Sequence, residues 1–372
     1  MKSRENDFSR LELNLGNCLH NFRYFRSRLQ PLTKLLVLVK ANAYGHGAAE
    51  FAGMMQQAGA DYLAVALPVE GVELRKAGIG LPILVLTAGT DFFEEIVDYR
   101  LEPGIPNLYT LRAFVELLRA RGERDYPVHI KLDTGMHRLG FMRSELDELL
   151  AFLPTCPEVR VVSVYSHLAV AEDPAEDVFT LGQIHEFEEN AARFEPALGY
   201  RPMWHVLNSA GIERFPQFQH DMVRLGIGIY GISAVDDRAL KPVASLKVKI
   251  LQIKELPGAD GGTIGYGRKG HVAPGGTTIA TIPVGYADGI DRHLGCGRAS
   301  FSLHGKRVPT IGNICMDMCM IDVMGVDAAP GDTVTIFGED PTVSELAGIL
   351  GKIPYEILTI VPRRIERIVI RR

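Results

Sequence analysis

Short apolar runs alternate with longer stretches of helical periodicity through the first two thirds of the sequence. A short continuous apolar run is typical of a strand that is buried on both faces of a parallel sheet. Such runs predict strands at residues 35–39, 62–66, 83–87, 101–105, 128–132, 161–166, 203–207 and 221–225, and the intervening periodicity predicts helices at 47–60, 111–122, 144–153 and 180–198. This pattern predicts an α/β fold, a closed (β/α)8 barrel of the TIM type. An open doubly wound sheet is the alternative, although it would usually have fewer strands.

The pattern of the sequence changes after about residue 245. Helical periodicity gives way to alternating, β-branched runs such as residues 277–286, which Gly, Pro and Asp interrupt. The N-terminal RLELNL also alternates, so we expect a strand there too. We therefore predict an N-terminal segment, 1–14, whose strand pairs with the C-terminal domain, a barrel over 15–240, and a mostly β C-terminal domain over 241–372.

Composition argues against several classes of protein. The formal net charge is −5 and there is no long basic block, which argues against a nucleic-acid partner. The polar N-terminus lacks the apolar core of a signal peptide, and no apolar stretch is long enough to cross a membrane. The five cysteines are odd in number and scattered, as in cytoplasmic proteins, and the pair in CMDMC is weak evidence for a metal. We therefore predict a cytoplasmic protein with no metal site.

Polar residues follow the predicted strands at the end where barrel enzymes build their active sites. Lys40 comes directly after the first apolar run. The other residues in such positions are Tyr44, Asp133, Arg138, His167, Asn208, Ser209, Arg224, Gly226 and Gly228. Each alone could be a structural polar group. Their convergence on one face of a barrel predicts an active site there.

The loops after the seventh and eighth predicted strands are small and rich in glycine. They read NSAGI and GIGIYG, in which backbone amides can approach an anion closely and Ser209 adds a hydroxyl donor. The glycines would also serve simple tight turns. Together with Lys40 on the same face, they favour a phosphorylated aldehyde as ligand. Pyridoxal 5'-phosphate supplies both groups, a phosphate for the loops and a carbonyl for the lysine.

The sequence around the lysine, VKANAYGHG, resembles the cofactor-lysine signature of the alanine racemase family. KLDTGMHRLGF, SHLAVAED, NSAG, VRLGIGIYG, GYG, PVGYADG and ICMDM resemble its other motifs, in the same order and over nearly the whole chain. The resemblance implies a barrel followed by a β domain. It also implies a head-to-tail homodimer in which the partner's C-terminal domain completes each active site.

The resemblance also implies roles for individual residues. Lys40 would form the internal aldimine and act as one catalytic base, and Tyr266 of the partner subunit would be the other. The positions that match cofactor-binding residues are Tyr44, His167, Asn208, Ser209, Arg224, Gly226 and Ile227. Those that match the substrate site are Arg138, Met316, Tyr286 and Asp317. Lys131 matches a lysine that is carbamylated in some members, where the new carboxylate orients the neighbouring arginine.

The implied chemistry can be argued physically. Racemisation removes the Cα proton from one face of the substrate, bound to the cofactor as an external aldimine, and returns a proton on the other face. Two acid/base groups are therefore needed, because one lysine cannot easily serve both faces. Arg224, which matches the arginine facing the pyridine nitrogen, would keep that nitrogen unprotonated. The cofactor would then be a weaker electron sink, which suppresses side reactions such as transamination.

The leading hypothesis is an alanine racemase that supplies D-alanine for peptidoglycan. A racemase of serine or of a broader set of amino acids is the first alternative. A non-catalytic carrier of pyridoxal phosphate is another, which the β domain with Tyr266 argues against, and Arg224 argues against a related decarboxylase. Asp291, Asn313 and the absence of an entrance tyrosine near Arg363 depart from the family's common pattern. These departures leave the substrate range open.

Overall fold

The computed structural model describes residues 8–236, 238–258 and 262–371. The first seven residues of the predicted segment 1–14 lie outside the described residues. The chain divides into two compact units. The barrel unit comprises 19–43 and the described part of 48–240, and the C-terminal unit comprises the described residues of 1–18, 44–47 and 241–372.

The strands alternate with helices along the first part of the chain. The strands are β1 (Ser9–Asn14), β2 (Lys34–Leu38), β3 (Tyr62–Val65), β4 (Ile83–Val85), β5 (Glu102–Ile105), β6 (Tyr126–Lys131), β7 (Val159–Tyr165), β8 (Met203–His205) and β9 (Met222–Leu225). The helices are Leu15–Arg26, Ala48–Ala58, Pro68–Lys76, Phe93–Asp98, Leu108–Arg121, Leu146–Phe152, Asp177–Ala191, Phe194–Leu198 and Ser209–Arg214. Each predicted strand corresponds to one of β2 to β9, with ends that differ by one or two residues.

The strands β2 to β9 form one parallel sheet in the order β8-β7-β6-β5-β4-β3-β2-β9. The two ends of this order meet through backbone hydrogen bonds. The Asp221 amide donates to the Trp204 carbonyl at 3.1 Å, and the Arg224 amide donates to the Leu207 carbonyl at 3.0 Å. The sheet therefore closes on itself, which confirms the predicted eight-stranded barrel. The carboxyl ends of all its strands consequently meet on one face.

The helix Leu108–Arg121 illustrates how the sequence specifies the outer layer. The Asn107 side chain accepts a hydrogen bond from the Thr110 amide at 2.8 Å and so caps the helix start. Gly122 ends the helix with a φ of 70°, in the left-handed region that glycine adopts at low cost. Its buried apolar residues, Leu111, Phe114, Val115 and Leu118, recur at the spacing of a single helix face.

Four helices in the first part of the chain were not predicted from apolar periodicity: Leu15–Arg26, Pro68–Lys76, Phe93–Asp98 and Ser209–Arg214. The helix Pro68–Lys76 is short, and its start is defined by local polar contacts instead. Pro68 occupies its first turn, and the Glu70 carboxylate accepts from the Leu67 amide at 3.1 Å. The helix Phe93–Asp98 spans less than two turns. Elements this short present too few positions for a periodic pattern to stand out.

The chain makes a left-handed turn directly after β2. Ala41, Asn42, Ala43 and Tyr44 all have positive φ values, between 51° and 56°. Such a conformation costs roughly 1–2 kcal/mol for each L-residue. Two side chains hold the turn in place. Glu70 accepts from the Ala41 amide at 2.6 Å, and Asn42 accepts from the Ala48 amide at 2.9 Å.

The C-terminal unit is mostly β. Its strands after β1 are β10 (Ala244–Lys249), β11 (Gln252–Leu256), β12 (Thr263–Ile264), β13 (Gly270–His271), β14 (Thr277–Ile282), β15 (Ser300–Leu303), β16 (Lys306–Pro309), β17 (Cys319–Asp322), β18 (Thr333–Phe337) and β19 (Glu366–Ile370). They form sheets in the orders β16-β15-β18-β10-β1-β19, β11-β14-β17 and β12-β13. The helices Val343–Leu350 and Pro354–Thr359 complete the unit.

The strand β1, which contains most of RLELNL, lies inside the largest of these sheets. It pairs antiparallel with β10 and parallel with β19. The short segment Tyr44–Gly47 also clusters with the C-terminal unit, although the sequence assigned it to the barrel. The reason is local, because the Arg367 guanidinium donates to the Gly45 carbonyl at 2.9 and 3.0 Å. Throughout the described ranges, no helix combines the length and the apolar character that crossing a membrane requires.

Gly228 provides a test of packing between the turn Ile227–Tyr230 and the helix Leu15–Arg26. A Cβ atom at this position would lie 2.4 Å from Cζ of the fully buried Phe25 ring. We therefore expect Gly228→Ala to lower the free energy of unfolding by about 1–3 kcal/mol, measured by denaturant titration. Gly182→Ala is the matched control. It lies on the exposed side of the helix Asp177–Ala191 with open space around it, so alanine there should stabilise the protein by up to about 1 kcal/mol. Equal effects of the two substitutions would contradict this packing argument.

Candidate active site

Four cationic side chains gather at the carboxyl-end face of the barrel unit. Lys40 follows β2, Lys131 ends β6, Arg138 lies in the loop after β6, and Arg224 lies on β9. The charges of Lys40, Arg138 and Arg224 all lower the pKa of Lys131. Burial, followed by the charge of Arg138, lowers the pKa of Lys40 below its ordinary value, although the Glu70 carboxylate opposes this. The four residues therefore share one electrostatic environment, which is poor in negative charge.

Lys131 is the most strongly affected of these amines. Burial, followed by the charges of Arg138 and Arg224, lowers the pKa of Lys131 to about 8. Asp133 is the one acidic neighbour that opposes this shift. The Asp133 carboxylate accepts hydrogen bonds from the Gly135 and His137 amides, at 3.0 Å each, and so shapes its own loop. A substantial fraction of Lys131 is therefore a neutral amine near neutral pH.

Arg138 is exposed and available for a ligand. Its guanidinium makes no hydrogen bond or ion pair with any other residue that the structure describes. Five N–H donors in a fixed fork suit a carboxylate, which can accept two of them at once. Arg138 can consequently bind the carboxylate of an amino acid. It can also turn towards a negative charge that forms on a neighbouring side chain.

Arg224 is almost completely buried, at 4 % exposure, and is held mainly by neutral acceptors. Its Nη1 donates to His205 Nδ1 at 2.8 Å and to the His205 carbonyl at 2.9 Å. Its Nη2 donates to the carbonyls of Ser166 and Val206, the latter at 2.9 Å. Burial lowers the pKa of Arg224 to about 10, so the side chain is still a cation at neutral pH. A buried guanidinium of this kind can donate a hydrogen bond to a ligand but cannot accept one.

His167 lies directly after β7 and contacts the same arginine. Arg224 Nη2 lies 3.4 Å from His167 Nδ1. Burial, followed by the charges of Arg224 and Arg138, lowers the pKa of His167 well below its ordinary value. His167 is therefore neutral. Because the guanidinium can only donate, the imidazole proton resides on Nε2.

The two glycine-rich loops are joined by one hydroxyl. Ser209 Oγ accepts from the Gly226 amide at 2.9 Å and from the Gly228 amide at 3.2 Å. The preceding Asn208 caps the helix Ser209–Arg214 by accepting from the Gly211 amide at 2.9 Å. Because its oxygen already accepts twice, the Ser209 hydroxyl can donate its proton to an anion. Ile227 begins the short 3-10 turn that follows, Ile227–Tyr230.

The remaining predicted site residues belong to the C-terminal unit. Tyr44 is buried there and packs against Tyr355, with 5.8 Å between ring centroids. Burial raises the pKa of the Tyr44 phenol above its ordinary value. Tyr266 is 72 % exposed, on the turn Tyr266–Arg268. The Asn313 side chain donates to the Tyr266 carbonyl at 2.7 Å and so fixes that turn. Asn313, one of the departures from the family pattern, thus has a structural contact of its own.

Tyr286 and Met316 lie on two loops of this unit that are bonded to each other. The Tyr286 amide donates to the Cys315 carbonyl, and the Ala287 amide donates to the Met316 carbonyl, at 3.0 Å each. Gly285 permits the approach, because a Cβ there would lie 2.2 Å from the Cys315 carbonyl oxygen. Both side chains are about half exposed.

Asp317 is engaged in an ion pair. Arg364 Nη2 donates to Asp317 at 2.8 Å, while Arg364 Nε donates to Asp288 at 2.7 Å. Asp288 in turn accepts from the Gly285 amide at 3.0 Å. The carboxylate of Asp317 therefore helps to hold the Met316 loop against the Tyr286 loop.

The sequence analysis missed four polar residues on the barrel strands. They are Glu102 on β5, His129 on β6, Ser163 on β7 and His205 on β8. Such residues are present within otherwise apolar runs, and His129 stands two positions before Lys131, on the same face of its strand. That spacing is the signal which would have identified an inward-facing polar residue.

The barrel residues suit pyridoxal phosphate. The cationic cluster favours a dianionic phosphate, and the Ser209 hydroxyl and small loops offer donors to it. Lys40 has a lowered pKa, which makes its amine more available to a carbonyl carbon. Arg224 offers the buried donor that an unprotonated pyridine nitrogen requires.

Comparison with known proteins agrees with this geometry. The family model described as alanine racemase, N-terminal domain, matches residues 13–234, and the one for the C-terminal domain matches residues 243–369. An alanine racemase of Synechocystis is 38% identical over 371 residues, which cover 97% of this chain and 98% of that protein.

Solved structures give the same result. The alanine racemase of Clostridium difficile 630 superposes with a TM-score of 0.91 at 34% identity, over 98% of this chain and 96% of that one. A Bartonella henselae alanine racemase, solved with covalently bound pyridoxal phosphate, has a TM-score of 0.87 at 27% identity, over 98% and 99% of the two chains. With both domains matched in order and with curated relatives similar over nearly its whole length, this chain belongs to the alanine racemase family of pyridoxal phosphate-dependent isomerases.

Proposed function

We propose that the protein interconverts L-alanine and D-alanine with pyridoxal 5'-phosphate bound in its barrel unit. The observation that carries this proposal is the position of Lys40. Lys40 follows a buried strand and lies in a cluster of cations that includes the buried Arg224. The pKa of its amine is lowered. A carrier of the cofactor would not need the C-terminal unit with Tyr266, and a decarboxylase would be expected to place an acidic residue where Arg224 lies.

The cofactor would be held by groups on both glycine-rich loops and on the lysine turn. Lys40 would bind it covalently, and Ser209, Gly226 and Ile227 would surround its phosphate. We also assign Tyr44 and Asn208 to the surroundings of the phosphate. When bound, pyridoxal phosphate withdraws electrons from the substrate Cα and so acidifies its proton.

Arg224 would face the pyridine nitrogen. A guanidinium can donate a hydrogen bond there but has no proton to give up at neutral pH. It would therefore keep the nitrogen unprotonated, which limits electron withdrawal and favours return of the proton to Cα over side reactions. His167, neutral and in contact with Arg224, would link this region towards Tyr266.

Two groups would move the Cα proton. Lys40 Nζ would serve one face of the substrate, since its lowered pKa makes it a proton acceptor nearer to neutral pH. The phenol oxygen of Tyr266 would serve the other face. The positive charge of the cation cluster would stabilise negative charge that develops on this oxygen.

Tyr266 would act in the partner's active site. It is 72 % exposed, and Tyr286 and Met316 on neighbouring loops of the same unit are about half exposed. An exposed group of aromatic and methionine side chains is typical of a surface that meets another chain. We therefore infer a head-to-tail homodimer with shared active sites.

The substrate would be anchored by its carboxylate. The guanidinium fork of Arg138 has no partner among the described residues, and Met316, Tyr286 and Asp317 would complete the pocket from the partner subunit. We expect such a pocket to accept alanine, and serine adds only a hydroxyl. The product, D-alanine, would supply peptidoglycan synthesis from the cytoplasm.

We expect alanine to be racemised fastest when the protein is incubated with single L-amino acids and the products are separated by chiral chromatography. Serine should follow within about 100-fold in kcat/KM, because an apolar pocket rejects an added hydroxyl weakly. Leucine, lysine and arginine should turn over little. Lys40→Ala should abolish all turnover. A preference for lysine or arginine would overturn the substrate assignment, and Arg363→Ala shows whether that residue restricts larger side chains.

Mixing two inactive variants tests the shared active site. Lys40→Ala removes one of the two catalytic groups and Tyr266→Phe removes the other. A heterodimer of the two variants therefore contains one site in which both groups are intact. The mixture should recover up to about a quarter of wild-type activity after subunit exchange, since half of randomly paired dimers are mixed and each has one good site of two. Lack of recovery in demonstrably exchanged dimers would place Tyr266 and Lys40 of the same chain in one site.

Lys131 should form a carbamate with dissolved carbon dioxide. A pKa of about 8 leaves roughly a tenth of the amine neutral at pH 7 and half at pH 8, and the neutral form attacks carbon dioxide. A carbamate signal should appear by carbon-13 NMR in labelled bicarbonate, and it should weaken as the pH falls below 7. Lys131→Ala should remove it. Lys352→Ala is the control, because hydrogen bonding to Asp291 raises the pKa of Lys352 and keeps it charged. Persistence of the signal in Lys131→Ala would refute the assignment.

A further inference from the structure

A continuous chain of hydrogen bonds runs through the interior of the barrel from Arg224 to Glu102. Arg224 Nη1 lies 2.8 Å from His205 Nδ1, and His205 Nε2 lies 2.8 Å from Ser163 Oγ. Ser163 Oγ lies 2.6 Å from His129 Nδ1, and His129 Nε2 lies 2.8 Å from Glu102 Oε2. The three central residues are fully buried. We call these five residues the Arg224–Glu102 chain.

The direction of every proton in this chain follows from its two ends. A guanidinium only donates, so His205 Nδ1 is an acceptor and the neutral ring carries its proton on Nε2. That proton is donated to Ser163, whose own hydroxyl proton then goes to His129 Nδ1. His129 in turn donates from Nε2 to the Glu102 carboxylate. All links point the same way, from the cation to the carboxylate, and such aligned bonds strengthen one another.

The Arg224–Glu102 chain connects a buried cation to a carboxylate. Among the described residues, no carboxylate contacts the Arg224 guanidinium, whose partners are carbonyls and imidazoles. A buried cation without a nearby negative charge is costly. Burial, followed by the charge of Arg224, also lowers the pKa of His205 well below its ordinary value, so the ring is neutral and the positive charge stays on the arginine. Glu102 ends the chain with a negative charge, beside the Tyr62 phenol.

Packing fixes the ring at the arginine end. The Tyr165 ring stacks on His205 with 5.0 Å between centroids and an angle of 9° between planes. Arg224 Cζ lies 5.6 Å from the centroid of the same tyrosine. Gly104, beside Glu102 on β5, leaves room for this ring, since a Cβ there would lie 2.5 Å from the Tyr165 hydroxyl oxygen. Stacking therefore holds the His205 ring in the orientation in which Nδ1 accepts the hydrogen bond from Arg224.

We propose that Glu102 is a positioning residue, which acts through the Arg224–Glu102 chain to hold Arg224 as a charged donor towards the cofactor. The inference rests on the proposed function for its consequence, but the coupling itself is a property of the chain's own residues. Glu102 does not touch Arg224, so any effect of its charge there has to pass through the histidines and Ser163 or through space.

The test uses full-length protein with nitrogen-15 histidine, with and without added pyridoxal phosphate. Glu102→Gln removes the charge but keeps an acceptor for His129. We expect the ring-nitrogen resonances of both His129 and His205 to shift in this variant. In a Ser163→Ala background, Glu102→Gln should still shift His129 and leave His205 unchanged, because the link is cut. Glu158→Gln, a buried carboxylate elsewhere on the barrel paired with Arg119, is the control and should move neither.

The loaded protein gives a second, spectroscopic readout. Glu102→Gln should lower the pH midpoint of the bound cofactor's visible absorption band by about half a unit, because a negative charge that favours the protonated form is lost. Ser163→Cys replaces Ser163→Ala if the latter does not fold. An unchanged His205 in Glu102→Gln, or an equal shift of His205 with and without Ser163, overturns the proposal. Failure to bind pyridoxal phosphate, with the histidine coupling intact, would instead refute the proposed function alone.

Discussion

The burial of one guanidinium is the constraint on which the barrel interior depends. Arg224 lies on β9 with 4 % of its surface exposed, and it satisfies its donors with carbonyls at the ends of neighbouring strands and with the imidazoles of His205 and His167. A barrel core is ordinarily filled with branched apolar side chains. Here the cation requires polar partners behind it, so His205, Ser163 and His129 occupy positions that would otherwise be apolar. The polarity of the interior is thus a consequence of the site at its mouth.

The sequence predicted the barrel and the residues at its strand ends because both follow from patterns that are local in the chain. Lys40, His167 and Arg224 each stand at or next to an apolar run, which is visible without any tertiary information. The Arg224–Glu102 chain is different, because its five members come from five strands and only the closed sheet brings them together. The strand β5 also depends on tertiary structure, since Gly104 lowers strand propensity but leaves space for the Tyr165 ring.

The left-handed turn after β2 was also beyond sequence reasoning. Ala41 and Ala43 are good helix formers of the ordinary hand, and only Asn42 has a recognised tendency towards positive φ. The conformation is imposed by tertiary contacts, above all by the Glu70 carboxylate on the Ala41 amide. Strain held in this way is common at functional sites. It fixes the direction in which the chain leaves Lys40, the residue to which the proposed cofactor would be attached.

The position of β1 has a consequence for synthesis of the protein on the ribosome. This strand is made before the barrel, but both of its neighbours in the sheet, β10 and β19, are made after the whole barrel. At roughly 5–20 residues per second, β1 waits for tens of seconds with both edges unpaired. Its buried Leu11 and Leu13 are exposed during that interval. The N-terminal strand therefore keeps one edge unpaired until β10 has been made and the other until β19 has been made.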